Sequence, residues 1–77
     1  MEIKVYPVPT SGNVFVSSEE NGELSIAVFD MQGRILYQTS SSEQLIEIPS
    51  FNWQSGYYRI LIQSETGKTV NEAFIKE

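Results

Sequence analysis

Asn21-Gly22-Glu23-Leu24-Ser25-Ile26-Ala27-Val28-Phe29-Asp30-Met31-Gln32-Gly33-Arg34-Ile35-Leu36-Tyr37 decides the fold of this chain. Leu24, Ile26 and Val28 share one face of an extended segment, while Ser25 and Ala27 take the other. That period of two belongs to strands, and no helical spacing competes with it. Asn21-Gly22 before it reads as a two-residue hairpin turn, because both central residues of such a turn need positive φ. Asp30-Met31-Gln32-Gly33 after it reads as a longer hairpin with Gly33 as the left-handed residue. Ile35 and Tyr37 then restart the alternation. A strand, a turn and a second strand are thus written in under twenty residues.

Working outward, the same pattern repeats. Ile3 and Val5 alternate with Glu2 and Lys4, and Val14 and Val16 follow a turn at Thr10 to Asn13. Ile46 and Ile48 flank Glu47. Tyr57 to Ile62 is apolar except for Arg59, the signature expected of a central strand buried on both faces. Glu65-Thr66-Gly67-Lys68 gives one more hairpin turn, and Val70 to Ile75 a last strand with Val70 and Phe74 on one face. About seven short strands, with turns every 8–12 residues or so, predict an all-β fold: a small immunoglobulin-like antiparallel β-sandwich. The expected core is Ile3, Val14, Val16, Leu24, Ile26, Val28, Tyr58, Ile60, Ile62 and Phe74. Tyr58 points inward, so its hydroxyl needs a partner such as a tyrosine corner supplies.

Composition narrows the function. The 77 residues make one small domain with a thin margin of stability. Five basic residues face ten acidic ones, for a net charge of −5. The basic residues Lys4, Arg34, Arg59, Lys68 and Lys76 stand singly, so phosphate neutralisation by a basic patch is not available, and nucleic acid is not an expected partner. The longest apolar run is Ile26 to Phe29, far short of the about 20 residues of a membrane helix. No membrane insertion is expected.

Neither His nor Cys is present. The commonest general base, the strongest nucleophile and the usual transition-metal ligands are therefore missing. The ten serines include no Gly-x-Ser-x-Gly elbow. The chain reads as a non-enzyme without cofactor or metal. Phe51, Trp53 and Tyr57 cluster around the longest loop, Pro49 to Ser55. Either Phe51 and Trp53 plug one end of the sandwich or all three form an aromatic platform for sugars, and plugging is favoured because so small a core needs its large rings.

Four motifs, in order, resemble the type A C-terminal sorting domain of the type IX (Por) secretion system of Bacteroidetes. The first is Tyr6-Pro7-Val8-Pro9-Thr10-Ser11-Gly12-Asn13-Val14 and the second Val28-Phe29-Asp30-Met31-Gln32-Gly33-Arg34-Ile35-Leu36. Gly56-Tyr57-Tyr58-Arg59-Ile60-Leu61-Ile62 and Ala73-Phe74-Ile75-Lys76-Glu77 complete the set. Val8 stands where that family usually has Asn, and Glu77 follows the terminal Lys.

The resemblance implies a sorting signal rather than a catalyst. Residues 1–77 are then a single C-terminal sorting domain, a fragment of a longer secreted precursor joined N-terminally to cargo. The implied partners are the outer-membrane type IX secretion shuttle and sortase proteins. The implied route runs through the periplasm to the cell surface or medium, with the domain removed by a sortase-like protease. Recognition candidates are Pro7, Pro9, Gly12, Asp30, Gly33, Arg34, Gly56, Tyr58, Lys68 and Lys76. Each has a structural reading beside this one. Pro7 and Pro9 brace an edge and mark the join to cargo, and Gly33 shapes a turn. Asp30 accepts backbone N–H groups beside Arg34, while Lys68 and Lys76 sit on a solvated final strand at a sheet edge. The alternative function is a non-catalytic β-sandwich for adhesion or carbohydrate binding through Phe51, Trp53 and Tyr57.

Overall fold

Alternation in the sequence becomes two facing antiparallel sheets in the computed structural model, which describes residues 3–6, 12–19 and 22–77. The strands are β1 (Ile3–Tyr6), β2 (Val14–Ser18), β3 (Leu24–Phe29), β4 (Ile35–Ser41), β5 (Leu45–Ile48), β6 (Gly56–Ser64) and β7 (Thr69–Lys76). One sheet has the order β1-β2-β5 and the other β4-β3-β6-β7. No helix occurs among the described residues.

The inner faces interlock as the period of two dictates. Val14, Val16, Ile46 and Ile48 from the smaller sheet meet Leu24, Ile26, Val28, Tyr58, Ile60, Ile62 and Phe74 from the larger. Each such side chain taken out of water contributes about 1.5–3 kcal/mol, which is how a chain this short offsets its ordering entropy. Ile3 packs against this core without being fully buried. Every buried side-chain polar atom among the described residues has a hydrogen-bond partner.

Two poles follow from the strand registers. One holds the connection from β2 to β3 and the β6–β7 hairpin, where Leu24 lies opposite Ser41 and Ser64. Ile3, paired with Ser18, sits there as well. Glu19, Glu23, Glu43 and Glu65 crowd that pole, with Lys68 beside them. The other pole holds the β3–β4 turn and the loop from β5 to β6. The molecule measures 33 × 21 × 16 Å.

Several expectations change. Gly22 has φ of 102°, yet the segment around it is not a hairpin, since β2 and β3 lie in different sheets. Both edges of β2 are already occupied by β1 and β5, so β3 must cross to the facing sheet. The Glu65 carboxylate takes the Glu23 amide at 2.6 Å and pins this crossover to the β6–β7 turn. β6 is central, between β3 and β7, but is buried on one face only: Tyr57, Arg59 and Gln63 face solvent.

Pro7 and Pro9 lie outside the described residues. The elements on either side of them, β1 and β2, pair with each other from Ile3↔Ser18 to Tyr6↔Phe15.

Candidate functional site

The tightest local structure is the turn from β3 to β4. Gly33 sits at φ of 85°, a conformation that costs a side-chain-bearing residue energy, and its amide reaches the Asp30 carbonyl at 3.0 Å. The Asp30 carboxylate then organises the whole turn. Its Oδ1 accepts the Gln32 amide at 2.9 Å and the Arg34 amide at 3.0 Å, while Oδ2 takes Arg34 Nε at 2.8 Å. Three charge-assisted bonds converge on one small acid, which explains why Asp rather than Glu starts the turn. The Asp30 side chain keeps 13% exposure and that of Arg34 keeps 73%.

These donors, the Arg34 amide first, hold the Asp30 carboxyl below its ordinary value. A depressed folded-state value means the contribution is complete above the unfolded-state value and lost as pH falls through the folded one. Asp30→Asn keeps a neutral acceptor but removes the charge. The melting-temperature gap between wild type and Asp30→Asn should be widest near neutrality and close as pH drops below about 4. Melts across that range check it, and a gap independent of pH would remove the charge from the argument.

The opposing wall is the loop that carries the chain from β5 to β6. Ser50 is fully buried and its hydroxyl donates to the Gly12 carbonyl at 2.8 Å. Asn13 Oδ1 accepts the Phe51 amide at 3.1 Å, and the Asn13 amide nitrogen donates to Glu47. The Trp53 amide closes back onto the Ser50 carbonyl at 3.0 Å. Gly12 thus acts through its carbonyl, as an anchor for this loop. Trp53 lies between Tyr37 and Tyr58, with ring centroids 6.4 and 5.4 Å away, and Tyr58 stacks on Phe74 at 5.3 Å. The buried Tyr58 hydroxyl donates to the Gln54 carbonyl at 2.6 Å, which is the expected corner. Tyr58→Phe strands that carbonyl and should cost about 1 kcal/mol, read as a lower urea midpoint with unchanged slope.

Between turn and loop opens a cleft of about 480 Å³ lined by Asp30, Met31, Gln32, Arg34, Leu36 and residues 52–58. Leu36 reaches it because β4 carries a bulge: Val28 pairs with Tyr37 but Phe29 with Ile35, so Leu36 has no opposite number. Asp30, Arg34, Gly56 and Tyr58 all line this cleft, and Gly33 shapes its rim.

Lys68 and Lys76 stand apart. Lys68 is exposed at the hairpin pole, whereas Lys76 is only 5% exposed at the cleft pole. The expected solvated Lys76 is corrected for a simple reason. It takes the inward position two residues after Phe74 on β7, so its aliphatic stem lies along the apolar face, while Nζ reaches the Glu77 carbonyl at 3.3 Å. Of the aromatic trio, Phe51 is 62% exposed and plugs nothing, Tyr57 is 47% exposed, and Trp53 alone packs against the core. Sequence reasoning missed Leu36, Gln54 and Ser50 at this pole. A bulge, a main-chain acceptor and a loop pinned to a distant Gly12 leave no local signal.

An immunoglobulin-like β-sandwich is also seen in a DUF3244-family protein of Bacteroides vulgatus. It superposes with a TM-score of 0.84 at 19% identity, covering 97% of this chain and 84% of that one. A second solved structure is PorZ of Porphyromonas gingivalis, an essential bacterial surface component of the type IX secretion system. It gives a TM-score of 0.81 at 24% identity; 97% of this chain is covered but only 11% of PorZ. No curated protein matches. The model of the secretion system C-terminal sorting domain matches residues 4–77, and the chain belongs to that family.

Proposed function

We propose that this domain is an export signal: it directs an N-terminally fused cargo across the outer membrane through the type IX machinery and performs no catalysis itself. In this reading the folded sandwich, not a linear tag, is what the outer-membrane shuttle meets. A sortase-like protease then separates it from the cargo, which passes from the periplasm to the cell surface or medium. One observation carries the proposal. Two of the four family motifs, Asp30 to Arg34 and Gly56 to Tyr58, are remote in sequence yet line one cleft. The pairing of β3 with β6, Phe29 opposite Arg59, brings the two motifs side by side and gives them a shared surface.

The sugar-binding alternative gains less support. Trp53, the best stacking ring, is engaged by Tyr37 and Tyr58, leaving Phe51 and Tyr57 without it. The test is a periplasmic reporter fused ahead of the domain in a host with type IX secretion. The reporter should reach the surface or medium with the domain and stay in the periplasm without it. Arg34→Gln, which keeps the amide bond to Asp30 and removes the ion pair at a cost of about 0.5–1 kcal/mol, should reduce export while the domain stays folded. A reporter retained despite the wild-type domain overturns the reading.

A further inference from the structure

Four strands end the two sheets: β1 and β5 in one, β4 and β7 in the other. A free edge offers unpaired N–H and C=O groups, and proteins usually blunt it with charge or proline. β1 carries Lys4, β5 carries Glu47, and β7 carries Glu72 and Lys76, with β1 also approaching β7 across the side of the sandwich. β4, Ile-Leu-Tyr-Gln-Thr-Ser-Ser, has neither charge nor proline over its seven residues, and Ile35 and Leu36 are exposed. It is the undefended edge among those described.

β4 also leads into the cleft. Its bulge aims Leu36 at the cavity, and Arg34, immediately before it, holds the rim. Arg34 uses Nε on Asp30, yet a guanidinium has five N–H donors, and this one is 73% exposed in a chain of net charge −5. Edge, cavity and outward cation are thus continuous, with Leu36 and Trp53 as apolar ground within the cavity.

We propose that β4 is a docking edge. An extended segment of a secretion-machinery protein adds beside it as a fifth strand, seats an apolar side chain against Leu36 and Trp53, and places a carboxylate on Arg34. Main-chain pairing supplies affinity and the cavity and cation supply selectivity, as in other strand-addition complexes. The occupant is a heterologous strand rather than the β4 edge of a second copy, because β4 brings no acidic group to meet a facing Arg34. The proposal rests on the sorting role and names the surface used in it.

The reporter fusion tests it. Gln38→Lys with Ser40→Lys places two charges on the β4 edge; Asn71→Lys with Glu72→Lys places two on β7. All four positions are exposed. The β4 pair should lose about tenfold or more in exported fraction while the β7 pair exports as wild type. Equal loss from both pairs, or wild-type export by the β4 pair, overturns the docking edge while leaving the sorting role intact. Failure of the wild-type fusion removes both. Should the β4 pair melt well below wild type, a photo-crosslinking residue at Gln38 in the otherwise unchanged domain decides. It should capture an outer-membrane secretion component when the same probe at Asn71 does not, and the reverse pattern overturns the proposal.

Discussion

Phe74→Ala should remove most of the stability of this domain. Phe74 is buried to 1% exposure on β7, stacks on Tyr58, and sits between the two sheets near the cleft pole. Truncating a buried Phe costs about 3–5 kcal/mol through lost transfer energy and the cavity left behind. A chain of this size has roughly 4–12 kcal/mol in all, and its high surface-to-volume ratio favours the low end. Relaxation offers little relief, because Tyr58 is fixed by its bond to Gln54 and cannot swing into the void without breaking it. We expect the urea midpoint to fall by roughly half or more. A midpoint near wild type would mean that Phe74 is not the keystone its burial makes it.

Trp53→Ala should cost about 2–3 kcal/mol, less than a full core truncation because the ring is only partly buried. Its loss detaches the loop wall from Tyr37 and Tyr58 and leaves the cleft with one side. The two effects can be separated. Trp53→Phe keeps an aromatic contact and should recover most of the stability while leaving the cavity altered. Near-wild-type stability in Trp53→Ala would instead mark the ring as a free surface group, and binding to a glycan array would then be the decisive measurement.

Much of this was legible in the chain. The strand set follows from alternation, since a period of two fixes which residues face inward once one sheet packs on another. Gly33 and Asp30 specify their turn because only a few residues within it are involved. Tyr58 was readable through a satisfaction argument: a buried hydroxyl must find an acceptor. What escaped was non-local. Asn21-Gly22 carries the chemistry of a hairpin, but whether the next strand pairs with the last depends on edges already taken by β1 and β5. Lys76 was expected in water by its charge, yet it takes the inward position two residues after Phe74 on β7. The cleft depends on a bulge at Leu36 that no residue type announces.

The crowding of acids at one pole has an electrical consequence. Glu19, Glu23, Glu43 and Glu65 outweigh Lys4 and Lys68 there, whereas at the cleft pole Asp30, Glu47 and Glu77 are matched by Arg34, Arg59 and Lys76. The domain is therefore a macroscopic dipole as well as a net anion. Near a negatively charged surface it experiences a torque that turns the glutamate-rich end away and presents Arg34 first. That torque acts only within about a Debye length, about 8 Å at physiological salt. Orientation before contact should thus weaken as salt rises, slowing capture more than it loosens the complex once formed.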